Sequence, residues 1–419
     1  MRSLVPYVFL LLFVGPTVCA EARAAEPVSL EAQVRELTRA VQDLRLTVEN
    51  QQREIALLKG QTPPPFRTPA APAAGPAAAR GRWNPDIGVV ADTLVTADTP
   101  KADTEGADRL SVREVEVIFG SNVDPYSRLD ATFAFSDFEE ASLDEAYLTH
   151  FALPWEVTGR VGRFRPRVGK VLQTHRDALD TVDMPLAVQR YFGSEGYARS
   201  GADLTRALDL PFDSAHEVTL GVLEGGNEEG GTLFGDRRRP TFYARSKNYW
   251  DLGEVTGLEL GASFLSGSRD ADVSREVGVF AADLSLFHDF EPPRRLKLQA
   301  EAFHVNRRES LTMLADAVTG VVTAQDLDGT LWGAYGLADL RFHVNWAAGL
   351  RLDRVEPIDA FGNPDPADTG YTGYLTFYQS EFARWRLQFS HLDLAAGEND
   401  DRVFVQGTFS IGEHKHKLQ

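Results

Sequence analysis

The residues best suited to handle a charged solute lie between positions 163 and 176: Arg163, Arg165, Arg167, Lys170 and Arg176, followed by Arg190. Guanidinium groups offer planar, bidentate donors to oxyanions, and a spaced series facing water can pass an anion from one group to the next. Asp177, Asp180, Asp183 and Glu195 are interleaved with them. The same run therefore also fits a wall of cross-paired charges that stiffens its scaffold. Metal chemistry has two candidate spacings. One is His414-x-His416; the other is His175 with Asp177 and Asp180, which one loop could bring together. So few donors do not make a closed site, and no metal or cofactor is expected. Catalysis is not expected either. Ser390 and His391 are neighbours, but neighbours on a strand face opposite ways. Neither Gly-x-Ser-x-Gly nor Gly-x-x-x-x-Gly-Lys occurs.

The elements that must position these side chains have a period of two. Val115, Val117 and Phe119 alternate with Glu114, Glu116 and Ile118; Leu129, Ala131, Phe133 and Phe135 alternate with Arg128, Asp130, Thr132 and Ala134. Trp385, Leu387 and Phe389 alternate with Arg384, Arg386 and Gln388. Charges on one face suit a sheet with one wet side rather than a doubly buried one. About sixteen such runs are predicted, near 86–95, 109–121, 126–136, 143–152, 156–164, 199–208, 216–224 and 240–250, then 257–266, 275–288, 295–306, 330–342, 345–354, 370–378, 381–391 and 402–412. Turn signals such as Asn122-Val123-Asp124-Pro125, Leu153-Pro154 and Pro292-Pro293 separate many of them. An even number closes an antiparallel barrel without edges. Parity places Arg128, Arg160, Arg341, Arg351, Arg384 and Arg386 on the inner wall. The long connection 165–196, between the fifth and sixth runs, is the candidate constriction. Tyr126, Tyr147, Trp155, Tyr249, Trp250, Trp346, Tyr371, Tyr374 and Trp385 fall at strand ends, where aromatic girdles anchor a barrel at both membrane interfaces.

Three shorter segments come first. Residues 1–24 combine Arg2, an apolar run broken by Pro6 and Pro16, and Ala22-x-Ala24, the pattern of a cleaved export signal. Cys19 is the single cysteine and would leave with it, so disulfides and thiolate sites are excluded. Residues 28–59 hold Leu30, Val34, Leu37, Val41, Leu44, Val48, Gln51, Ile55 and Leu58 in unbroken alternation of fours and threes, the signature of a coiled coil. Residues 60–82 are a Pro/Ala-rich linker. The barrel is predicted over 83–419. A net charge of −18 argues against a nucleic-acid partner.

Several motifs carry a resemblance to a known family. They are Arg113-Glu114-Val115-Glu116 leading into Asp124-Pro125-Tyr126-Ser127-Arg128-Leu129-Asp130, then Asp144-Glu145-Ala146-Tyr147-Leu148, Gly162-Arg163-Phe164-Arg165-Pro166 and Phe409-Ser410-Ile411-Gly412. With these, residues 83–419 resemble bacterial outer-membrane porins of the phosphate-selective O and P type, including the set labelled zinc-regulated outer-membrane receptors. The resemblance implies a sixteen-stranded, usually trimeric barrel with an inward-folded loop narrowing each pore. The trimer competes with the dimer suggested by the valine and leucine positions of the coiled coil; the barrel is taken to decide it. The terminal His414-Lys415-His416-Lys417-Leu418-Gln419 departs from the aromatic ending common among such barrels.

The expected protein is an all-β transmembrane barrel of about sixteen antiparallel strands behind a short helical coiled coil. It would sit in the bacterial outer membrane against lipid and lipopolysaccharide, with its N-terminal segment in the periplasm. Its expected activity is passive passage of small hydrophilic solutes or ions, anions such as phosphate among them. The pore-lining path would be Arg128, Arg160, Arg163, Arg165, Arg167, Lys170 and Arg176. The alternative is a structural tether, in which the coiled coil holds the membrane to the cell wall or a periplasmic partner.

Overall fold

Period-two alternation becomes a closed antiparallel barrel in the computed structural model of the chain. It describes residues 85–412 apart from 99–108, 137–140, 209, 211–213, 226–232, 236–238, 270–275, 317–320, 359–366, 396 and 398, and without the side chains of 98, 109 and 309–328. The export signal, coiled coil, linker and His414-x-His416 expected from the sequence lie outside the described residues.

The first strands are β1 (Asp86–Asp98), β2 (Arg109–Asp124), β3 (Ser127–Phe135), β4 (Ser142–Leu153) and β5 (Val157–Phe164). After the long connection come β6 (Arg199–Leu208), β7 (Ala215–Leu223), β8 (Thr241–Asp251), β9 (Thr256–Ser268) and β10 (Glu276–Asp289). The circle is completed by β11 (Arg295–Asp316), β12 (Val321–His343), β13 (Trp346–Val355), β14 (Asp368–Ser380), β15 (Ala383–Asp393) and β16 (Asn399–Gly412). Each strand pairs with its sequence neighbour, and β1 pairs with β16 from Gly88–Gly412 to Asp98–Arg402. Closure leaves no row of unpaired edge amides, the condition for placing a sheet in lipid.

The two faces separate by chemistry. Leu129, Phe133 and Phe135 of β3, Leu350 and Leu352 of β13, and Leu387 and Phe389 of β15 are exposed on the outside. Asp130, Arg351, Asp353, Arg384, Arg386 and Gln388 are buried on the inside. Tyr126, Trp155, Tyr371 and Trp385 are exposed as girdle residues should be. Tyr147 and Tyr374 are not girdle residues: Tyr147 stacks edge-on against the buried Phe164, and buried Tyr374 donates to Asp339 at 2.9 Å. Both share the inward parity of their strands, which outweighs their position near a strand end.

β11 and β12 run well past the predicted 306 and 330. Beyond Arg307 and Gly333 their register partners are each other, so this part of the hairpin extends past its neighbours β10 and β13. At about 3.4 Å per residue, strands of 22 and 23 residues exceed the hydrocarbon core.

Candidate functional site: the inner loop and its charged wall

Chain 165–196 turns inward after β5 and packs against the barrel wall. It carries two short 3-10 turns, Val171–Gln173 and Arg176–Ala178, and one helix, α1 (Leu186–Phe192). Pro185 precedes α1, supplying the fixed φ a helix start tolerates. The apolar side of the loop, with Val168, Leu172, Met184, Val188, Tyr191 and Phe192, packs on Phe303, Val305, Leu331 and Val355 of the wall, all buried. α1 approaches β12 closely because residue 333 is glycine; a Cβ there would lie 2.9 Å from both Ala187 Cβ and the Tyr191 ring. Tyr191 donates to the Glu356 carbonyl at 3.0 Å, and burial pushes its phenol pKa up.

Polar clamps hold the loop on nearly every side. Gly169, at φ 57°, turns the backbone so that its amide donates to Ser263, and the next two amides donate to Glu301 Oε1 at 2.8 and 2.7 Å. Lys170 reaches Glu259 at 2.8 Å and Lys297 reaches Asp180 at 2.6 Å. Arg384 and Arg386 donate to the carbonyls of Asp177 and Leu179. Gln388 accepts from the Val182 amide at 2.7 Å, and Asp353 accepts from the Leu186 amide at 3.0 Å. Arg351, with none of its surface exposed, sits between Asp353 at 2.7 Å and Asp183 at 3.3 Å. Burial alone would raise the Asp183 carboxyl; the Arg351 charge and the Gln388 amide more than reverse this and hold it below the usual range. The loop thus contacts β2, β4, β9, β11, β13 and β15 while passing through the lumen.

All seven residues singled out from the sequence have partners. Arg128 pairs with Asp130 at 3.0 Å and Asp86 at 3.3 Å, and Arg160 pairs with Asp203, its direct register partner on β6. Arg163, expected to line the pore, instead alternates with inward Phe164 and takes the outer parity of β5; its Nε donates to the Asp144 carbonyl at 3.2 Å. Arg165 is buried between Asp144 and the Glu195 carbonyl; Arg167 donates to Thr205 Oγ1. Lys170 has Glu259, and Arg176 has Glu195 at 2.9 Å. The parity assignments of Arg351, Arg384 and Arg386 to the inside also match. Among the described residues, Arg384 and Arg386 make no ion pair within 4.0 Å; their acceptors are neutral.

The carboxylate half of this network was not legible from spacing. Asp203 is separated from Arg160 by 43 positions and Asp353 from the loop by 167. Inward parity identifies such acids, but only strand register assigns their partners.

His175 is a second focus. It is buried among Glu116 of β2 and Asp144 and Glu145 of β4, at 3.3, 3.4 and 3.0 Å. Burial opposes its charged form, yet Glu116 and Glu145 hold the imidazole well above its usual range. Of its two expected companions, Asp177 stays close while Asp180 turns away to Lys297.

The barrel has the fold of bacterial outer-membrane channels. Three solved structures share it. The outer membrane channel DcaP of Acinetobacter baumannii is 10% identical, with 78% of this chain and 96% of that chain covered at a TM-score of 0.50. The anion-selective porin from Comamonas acidovorans is 10% identical, covering 78% and 99% at 0.51. Pseudomonas putida OprB is 9% identical, covering 80% and 96% at 0.51. Identities this low establish the fold alone. No family model matches the sequence. A relative in Aquifex aeolicus (strain VF5), described as an uncharacterized protein, is 25% identical over 331 residues, covering 71% of this chain and 68% of its own length.

Proposed function

We propose that the protein is an outer-membrane porin that passes small hydrophilic solutes or ions passively through a lumen narrowed by residues 165–196. The observation that carries this reading is the closed barrel with an apolar outer face and a charged inner face, into which one loop is folded. The fold of the solved outer-membrane channels supports it, and their printed descriptions, an anion-selective porin among them, suggest the solute class. A solved neighbour described as a trimer form supports a homotrimer. Residues 1–24 would then be the export signal, and 28–59 a periplasmic coiled coil joined through 60–82.

For selectivity, the paired network favours a mixed-charge wall, because the seven basic residues named above are already engaged. An anion path is the second reading. It is favoured by Arg384 and Arg386, two inward guanidinium groups whose acceptors are neutral. Phosphate selectivity is one case of that reading.

Single-channel recording of the refolded protein in a planar bilayer under a KCl gradient tests the proposal. Current steps grouped in threes are expected. Reversal towards chloride supports the arginine path, and reversal towards potassium supports a pore set by the acidic excess. A folded barrel that gives no steps would overturn the channel reading and leave the tether.

A further inference from the structure

We propose that Glu116, His175 and Asp177 form a binding site for a divalent transition-metal ion of the zinc class, which pins the inner loop to β2. One donor atom from each lies within 4.8 Å of the other two, and all three residues are buried. The site goes beyond conduction and does not depend on it.

The geometry suits a metal ion. His175 Nε2 faces Glu145 at 3.0 Å, so that carboxylate takes the N–H and fixes the tautomer. A metal ion would displace the proton on Nδ1 and take its lone pair. Histidine ligands are commonly oriented in this way by a carboxylate on the second nitrogen. Nδ1 stands 3.3 Å from Glu116 Oε1 and 3.4 Å from Asp144 Oδ2. Two donors at about 2.0 Å from a tetrahedral ion stand about 3.3 Å apart. Asp177, whose donor atom lies within 4.8 Å of the other two, supplies the third ligand. Asp144 is the available fourth, although it also accepts from Arg165 at 3.0 Å.

Charge points the same way. Glu116, Asp144, Glu145 and Asp177 surround the position; Arg165 pairs with Asp144 and also faces Glu116 and Glu145, and Arg384 faces Asp177. Four carboxylates against these two guanidinium groups leave a negative excess that a further cation would offset. Either His175 carries a proton or an ion replaces it; a nitrogen-and-oxygen donor set selects zinc-like ions over calcium or magnesium.

The test is calorimetric titration of the refolded full-length protein in detergent with Zn(II), alongside His175→Gln, Asp177→Asn and Asp180→Asn. Heat-modifiable gel mobility of each variant confirms that the barrel has formed. One equivalent per chain is expected in the wild type and in Asp180→Asn, with at least about tenfold weaker binding in His175→Gln and Asp177→Asn. Equal binding by the wild type and His175→Gln would place the ion elsewhere, such as at His414 and His416, and overturn the site. No binding by the folded wild type would equally overturn it and leave His175 a protonated counter-ion.

Discussion

Arg351 has acids on both sides and none of its own surface exposed, so its removal strands two carboxylates. Breaking a buried pair by deleting one partner costs about 3–5 kcal/mol. Arg351→Ala is therefore expected to lower barrel stability by about that much in urea unfolding of the refolded protein. A loss below about 1 kcal/mol would show that Arg351 does not anchor the loop. Asp183, on the other side of this pair, gives a pH dependence. Its carboxyl is held below the usual range, so its contribution is complete above the unfolded value of about 3.9. That contribution is lost as pH falls through the depressed folded value. Loop fluctuations, read as open-channel noise, should rise in that acid window and not between pH 5 and 8. Asp183→Asn should remove the acid-dependent part, and an identical onset in this variant would assign it to another group.

At the scale of the element, the inner loop is held by an apolar contact as well as by charges. Phe192 is 1% exposed and packs against Tyr197 and Phe303. Phe192→Ala should cost roughly 3–5 kcal/mol where the cavity cannot collapse. Because the wall's own hydrogen bonds do not pass through Phe192, the expected result is a folded barrel with a loosened loop. Limited proteolysis between 165 and 196 would report it, and resistance equal to wild type would contradict it. Gly333→Val tests the same docking from the wall, since its side chain would meet Ala187 and Tyr191. Overpacking of this kind costs about 1–3 kcal/mol and should raise conductance if α1 is displaced. Unchanged conductance would mean that α1 does not bound the path.

For the whole molecule, the exposed apolar outer face requires a lipid or detergent environment, and the barrel should run as a heat-modifiable species on semi-native gels. Trimer assembly predicts a detergent-stable species at three times the chain mass, read by light scattering with detergent correction. A monomer that still conducts would separate assembly from passage. Among the parts of the fold, strand number and inward parity were readable because a pleated strand alternates its faces whatever lies next to it. Arg128, Arg384, Arg386 and Gln388 were placed correctly for that reason. The length of the β11–β12 hairpin was missed because its far part leaves the wall, where alternation is no longer imposed by lipid. The girdle assignment of Tyr374 failed because nearness to a strand end does not say which face a ring takes.

The sequence by itself determined that the chain builds a one-sided β-structure and that residues such as Arg351, Arg384 and Arg386 face inward, because both follow from local period and composition. Which charges meet was decided by tertiary structure alone. Arg160 finds Asp203 through strand register, Arg351 finds Asp183 through a loop that crosses the lumen, and His175 finds Glu116 instead of Asp180 for the same reason. Such pairings depend on closure of the circle and on the path of 165–196 inside it, and a period along the chain carries no information about either.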